Sequence, residues 1–377
     1  MEVREIDTEL ILFDVLSDIF KHLSIYDLTS ASEVCKSWHY TAKREKLKRG
    51  PQVITLQALE DLVATRFCAV GPRVKNQIVE DLKLSLRIRP RLGIFFTDGK
   101  YPSSADCDNV VYEICKTHRW TRPKDCFYIA IETVGVNIDD NPVGGEKNVT
   151  AALFFPVIPQ VNYAITETNT HSIQQHFTSN DCLLVNMTQK LFDFKEDQVC
   201  FIVLMYKWQD EPLYERYHRK FFNKILESIK IRYKPSTYAL WGGTVNDIFT
   251  LAPGTKPSYN ATSFCAISIS GNNVETWSIM VDINLSNTEI ESKLKNFKNG
   301  INLNDSSIIL LMLPSNKETI DRSKLKVFKV LFPKGKLLSL FNDKNNVMIS
   351  VDSTSNENDN IFHYSHFYAL LVLSYKC

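Results

Sequence analysis

The sequence predicts an α+β chain: a small N-terminal three-helix unit followed by a two-lobed body of mixed β-sheets covered by helices. Three observations predict it. Apolar residues recur at helical spacing through the first fifty residues, strand-like and helical runs mix after Gly50-Pro51, and no regular β-α-β alternation demands a doubly wound parallel sheet. The 377 residues, 44% hydrophobic and 23% charged, are enough for two or three domains with real cores.

The N-terminal unit comes first. Leu12, Val15, Leu16, Ile19, Phe20 and Leu23 fall on one stripe of an amphipathic helix, widened by Ile11. Ser24 followed by Asp27 reads as the start of a second helix through Leu28, Ala31 and Val34, with a carboxylate in the first turn. A third helix runs from Cys35 and Trp38 into the basic segment Lys43–Arg49. That segment has the composition of a nuclear localisation signal and equally of a solvated helix C-terminus, which suits cations. Such a unit is smaller than normally sustains its own core and carries no disulfide or metal staple, so it is expected to need a partner.

The run Ile11–Leu28, followed by Val34-Cys35-Lys36-Ser37-Trp38, resembles an F-box. Two positions depart from that family's pattern: Leu12 stands where it has proline, and Asp14 where it usually has glutamate. The resemblance implies docking on the Skp adaptor, and through it on a cullin-RING scaffold. The contacts it implies are Leu12, Val15, Leu16, Ile19, Phe20, Leu28, Val34, Cys35 and Trp38. The F-box is placed at 8–50.

In the body, strands are expected at 52–56, 92–96, 127–133, 151–158, 199–206, 263–270, 276–283, 307–313, 336–341, 346–351 and 362–373. Helices are expected at 74–86, 106–117, 214–231, 288–297 and 320–332. Loops are expected at 137–148 and 352–360, and no short-period repeat is present. A lobe boundary falls near Asp210–Pro212, dividing the body into 51–210 and 211–377. The segments Ala152–Ile158, Trp241–Asp247, Ile267–Gly271, Phe328–Pro333 and Phe362–Tyr364 occur in the order found in F-box proteins with a FIST-type body. That resemblance implies N- and C-terminal FIST-like lobes over nearly the whole chain. It departs at Leu338–Asn345, where the family usually has a glycine-rich turn and this chain has no glycine, so a ligand pocket needing close backbone approach there lacks its means.

The search for chemistry returns little. Phosphate-loop, dinucleotide, zinc-protease and nucleophile-elbow patterns are absent. The nine cysteines include no C-x-x-C; Cys107 and Cys115 sit eight apart on an expected helix, and Cys265 reads as core. His171 with His176, and His363 with His366, lack metal-ligand spacing. The one turn with functional residue types is Gly242-Gly243 with Asn246 and Asp247, a possible substrate or ligand turn whose plainer reading is a β-turn after Tyr238–Trp241. Net charge of +1 argues against a nucleic-acid coat, the acidic start against a signal peptide, and the short apolar runs against membrane helices. The expectation is a non-catalytic, cofactor-free substrate receptor of a ubiquitin ligase, cytoplasmic or nuclear, that binds a protein substrate through its body. The alternative is a small-molecule-sensing FIST-like module carried on an F-box.

Overall fold

A computed structural model describes residues 8–55, 84–98, 126–138, 150–179, 182–192, 199–207, 212–253, 262–315, 322–343, 347–351, 362–364 and 367–376. Side chains of residues 8–13 are not among those described. The expected helix at 106–117, nearly all of that at 74–86, most of both expected loops, Cys107, Cys115 and His366 lie outside these residues.

The N-terminal unit is three helices, α1 (Thr8–Phe20), α2 (Ile25–Ala31) and α3 (Lys36–Leu47). Ser24 caps α2 as its spacing with Asp27 predicts: its hydroxyl accepts the Asp27 N–H at 3.1 Å and donates to the Asp27 carboxylate at 2.7 Å. Val34, expected inside α2, lies beyond its end.

The body contains three sheets whose strands are β1 (Gln52–Thr55), β2 (Pro90–Asp98), β3 (Phe127–Thr133), β4 (Gly135–Ile138), β5 (Thr150–Pro156), β6 (Asn162–Thr168), β7 (Val199–Tyr206), β8 (Tyr238–Val245), β9 (Asp247–Leu251), β10 (Phe264–Ser270), β11 (Val274–Asp282), β12 (Ile308–Ser315), β13 (Lys336–Asp343), β14 (Val347–Ser350), β15 (Phe362–Tyr364) and β16 (Phe367–Tyr375). The orders are β1-β5-β2-β3-β9, β15-β14-β8-β7-β10-β6 and β11-β16-β12-β13-β4. Each sheet is built on one plan. A central parallel pair, β2/β3, β7/β8 or β12/β13, is flanked on one side by an antiparallel strand and a further strand beyond it. On its other side lies a strand belonging to a different stretch of chain: β4 follows β3 but pairs with β13, β9 follows β8 but pairs with β3, and β14 follows β13 but pairs with β8. The strands that open the parallel pairs begin at residues 90, 199 and 308, equal intervals along the chain. The body is thus a cyclic, threefold exchange of strands. The expected boundary near residue 210 separates β7 from β8, and these two are neighbours in one sheet.

The inner faces of all three sheets share one core, in which Ile94, Ile129, Ile202, Trp241, Ile267, Leu310, Leu338 and Leu371 meet. The outer face of the β7/β8 sheet is covered by α4 (Thr170–Ser179), α5 (Leu183–Leu191) and α6 (Pro212–Arg232). That of the β12/β13 sheet is covered by α7 (Asn287–Asn299) and α8 (Arg322–Leu331). With both faces buried, a central strand needs apolar residues throughout, which is why Val199–Met205 and Ile308–Leu313 read as unbroken runs.

The Gly242-Gly243 turn is corrected. Both glycines lie inside β8, between β7 and β14, with φ of +139° and +146°. A Cβ on Gly242 would sit 2.0 Å from the Val203 carbonyl oxygen, and one on Gly243 2.0 Å from that of Val347. Their role is to let three backbones approach where any side chain would collide. Only Asn246 turns the chain, passing it from one sheet to the next.

Candidate docking site on the N-terminal helices

The three helices close around a small core of Leu16, Phe20, Leu28, Ala31 and Ala42, with Leu23 and Trp38 packed against it. Trp38 meets Phe20 edge-on at 5.4 Å between ring centroids. Leu16, Phe20 and Leu28, which the F-box resemblance implied as contacts, are buried here among the helices they hold together. The amphipathic stripe on α1 is split lengthwise. Its other half, Val15 at 50% and Ile19 at 51% exposure, faces outward one helical turn apart. Val34 and Cys35, between α2 and α3, are exposed as well, and Tyr40 on α3 stands 65% exposed. The Leu12 side chain lies outside the described set. Beside Ile19, Lys21 pairs with Asp18 at 2.6 Å, which holds that exposed carboxyl below its usual range.

The unit's other apolar surface is covered by the chain's own body. Ile25 of α2 joins a cluster with Ile54, Leu86, Ile88, Phe95, Tyr128 and Phe154, and its N–H donates to the Leu86 carbonyl at 2.9 Å. Arg49 fastens the joint. Its guanidinium donates to the Phe20 carbonyl at 2.6 Å, the Leu23 carbonyl at 3.0 Å, the Arg87 carbonyl, and the Glu45 carboxylate at 3.2 Å. Arg49 and Glu45 are both buried, so the end of the basic segment is an internal staple rather than a solvated helix terminus. Sequence reasoning missed this pair; the one available signal was the i, i+4 spacing of Glu45 and Arg49. The partner the unit was expected to need is thus in part its own body.

Residues 13–51 match the family model described as F-box-like. This F-box-like domain takes in α1 from Phe13 onward, α2, α3 and the stapled joint, since its last residues include Arg49 and Gly50. No curated protein matches the chain. Among solved structures, a cyanuric acid hydrolase from A. caulinodans is 8% identical, with 87% of this chain and 99% of that one covered, at a TM-score of 0.41. T. maritima PurL, complexed with ATP, is 7% identical over 86% of this chain and 71% of its own, at a TM-score of 0.22.

The second candidate region is where β8 passes into β9. Asn246 donates its N–H to the Glu132 carbonyl at 3.2 Å, and Asp247 stands opposite Glu132 in the β3/β9 register. Burial raises the Asp247 carboxyl above its ordinary value, against the pull of the Ile248 N–H it accepts at 2.8 Å. Gly242 and Gly243 take no part, so the four residues expected together are not one turn. Among the described residues no His, Cys, Asp and Glu group is arranged to hold a metal ion, and no helix is long and apolar enough to cross a membrane. The described cysteines Cys35, Cys126, Cys182, Cys200 and Cys265 form no disulfide with one another; burial pushes the Cys200 and Cys265 thiols well up, away from the reactive thiolate.

Proposed function

We propose that this chain is the substrate-recognition subunit of an SCF-type cullin-RING ubiquitin ligase, in which the F-box-like domain docks on the Skp adaptor and the body holds a protein substrate. One observation carries it: the matched domain keeps Val15, Ile19, Val34 and Cys35 on its surface while Leu16, Phe20 and Leu28 pack internally. Burying the exposed half of Val15 and Ile19 contributes about 1 kcal/mol each, and Val34 adds a similar amount. Trp38 is half-buried against Phe20 and keeps part of its ring accessible.

Such a receptor performs no bond chemistry. It raises the local concentration of substrate lysines beside a ubiquitin-charged conjugating enzyme, and its rate advantage is one of proximity. The stapled joint makes the body's bearing on the adaptor a fixed one. The order of the body's segments supports a FIST-type body like that of F-box only protein 22, and the reading puts the chain in the cytoplasm or nucleus, where thiols stay reduced. Co-expression with the Skp adaptor and a cullin-RING pair tests it. Recovery of all four on a tag carried by this chain is expected; failure to retain the adaptor contradicts the reading.

A further inference from the structure

We propose that the outward face of α6 is the surface that receives the substrate, and that it takes an acidic segment of a protein chain. The inference deepens the reading above, since it names the substrate class of the body. Arg216, Lys220, Lys224, Glu227 and Ile231 lie on one stripe of α6 and all five are exposed. Arg216 to Lys224 spans about 12 Å and Arg216 to Ile231 about 22 Å. Ile231 is 88% exposed, and its chain neighbours are Lys230 and Arg232.

Two independent features bear on what this stripe would bind. First, its like charges are stacked at i, i+4 and i+8, an arrangement that costs a helix stability. Two exposed lysines elsewhere are offset by carboxylates at helical spacing, Lys21 by Asp18 and Lys295 by Glu291, each at 2.6 Å. On the described α6 stripe the only acid is Glu227, and its charge acts on Lys230. Second, the helices packed beside α6 supply no relief, because neither α4 nor α5 contains an acidic residue and α5 adds the exposed Lys190. The layer of α4, α5 and α6 is therefore cationic although the chain as a whole carries a net charge of only +1.

The same layer argues for a peptide rather than a single-stranded nucleic acid. Base binding needs open aromatic faces. Here Phe177 stacks on Tyr217 at 5.6 Å and carries the Lys224 ammonium 5.1 Å over its ring, while Phe192 carries the Arg232 guanidinium at 5.4 Å. The rings are engaged within the layer. What the stripe offers outward is cations at regular rise and one bare isoleucine, which fits carboxylates followed by an apolar side chain.

The test uses the full chain and fluorescence anisotropy with three labelled probes: a glutamate-rich peptide of about twelve residues bearing leucines, its lysine-for-glutamate counterpart, and a single-stranded oligonucleotide of matching charge. The wild type is expected to bind the acidic peptide in a salt-sensitive manner. Arg216→Glu, Lys220→Glu and Lys224→Glu combined weaken that binding by about tenfold or more, the three glutamine changes give an intermediate loss, and Ile231→Ser gives a loss that salt does not alter. Absence of binding by the wild type, an unchanged affinity in the charge-reversed chain, or tighter binding of the oligonucleotide or the lysine peptide overturns the proposal. Adaptor capture is read on the same preparations. Its loss from the wild type overturns the docking reading, whereas loss of peptide binding with capture retained overturns this one.

Discussion

Removing Arg49 tests whether the F-box-like helices and the body are one folded unit. The guanidinium makes four hydrogen bonds, to the carbonyls of Phe20, Leu23 and Arg87 and to Glu45, and it is only 9% exposed. Arg49→Met would leave the buried Glu45 carboxylate without its cation and three carbonyls without their donor. Breaking a buried ion pair by deleting one partner costs about 3–5 kcal/mol, and hydrogen bonds to charged groups are worth about 1.5–3 kcal/mol each. Some carbonyls will recruit water, so a net loss of about 4 kcal/mol is the expected figure. Arg49→Met with Glu45→Met removes the uncompensated charge as well and should recover at least half of it, because an apolar pair of similar volume often replaces a buried ion pair at little cost. Urea unfolding followed by tryptophan fluorescence measures both, Trp38 reporting on the helices and Trp241 on the body. A loss under about 1 kcal/mol for the single variant, or a double variant no more stable than the single one, would refute the staple.

Three further outcomes follow from particular environments. Gly242→Ala and Gly243→Ala each drive a methyl to 2.0 Å from a carbonyl oxygen, so neither variant should accumulate as soluble folded protein; a near-normal circular dichroism melt for either contradicts the close-approach account. Leu16→Ala should destabilise the helical unit by about 2–5 kcal/mol while Ile19→Ser leaves its melting unchanged within error; equal effects would show that the division into core and surface is misplaced. Asp247→Asn should stabilise the chain at neutral pH. The folded carboxyl titrates above its unfolded value of 3.8, so ionisation costs stability as pH rises through that window, and the variant's advantage should vanish below it. An advantage independent of pH contradicts that cause.

Helical periodicity made the N-terminal unit legible, because Leu12 to Leu23 and the later Val34, Cys35 and Trp38 carry both period and spacing. It could not show which half of the α1 stripe would be spent internally. Val15 and Leu16 are adjacent in sequence and equally apolar, and only the packing of α3 across α1 decides that one is covered and the other bare. Central strands were legible where both faces are buried, as in Val199–Tyr206. Three strands were not: β4 is four residues, β6 has apolar residues only at Tyr163, Ala164 and Ile165 and so shows no two-residue period, and β9 follows a glycine pair that signals a turn in most contexts. Phe362–Leu373, expected as one strand, divides between two sheets as β15 and β16. α4 escaped notice because Thr170–Ser179 buries little beyond Ile173 and Phe177. The cyclic exchange itself is a long-range pairing that no local pattern encodes.

The most direct measurement is titration calorimetry of the purified full chain with the Skp adaptor, wild type beside Val15→Asp and Ile19→Asp. The account predicts a saturable wild-type complex with negative heat-capacity change, as burial of apolar surface requires. It predicts at least a hundredfold weaker binding for either aspartate, since each would place an unpaired carboxylate in the contact. Undiminished affinity in both variants, with their melting profiles intact, would contradict it.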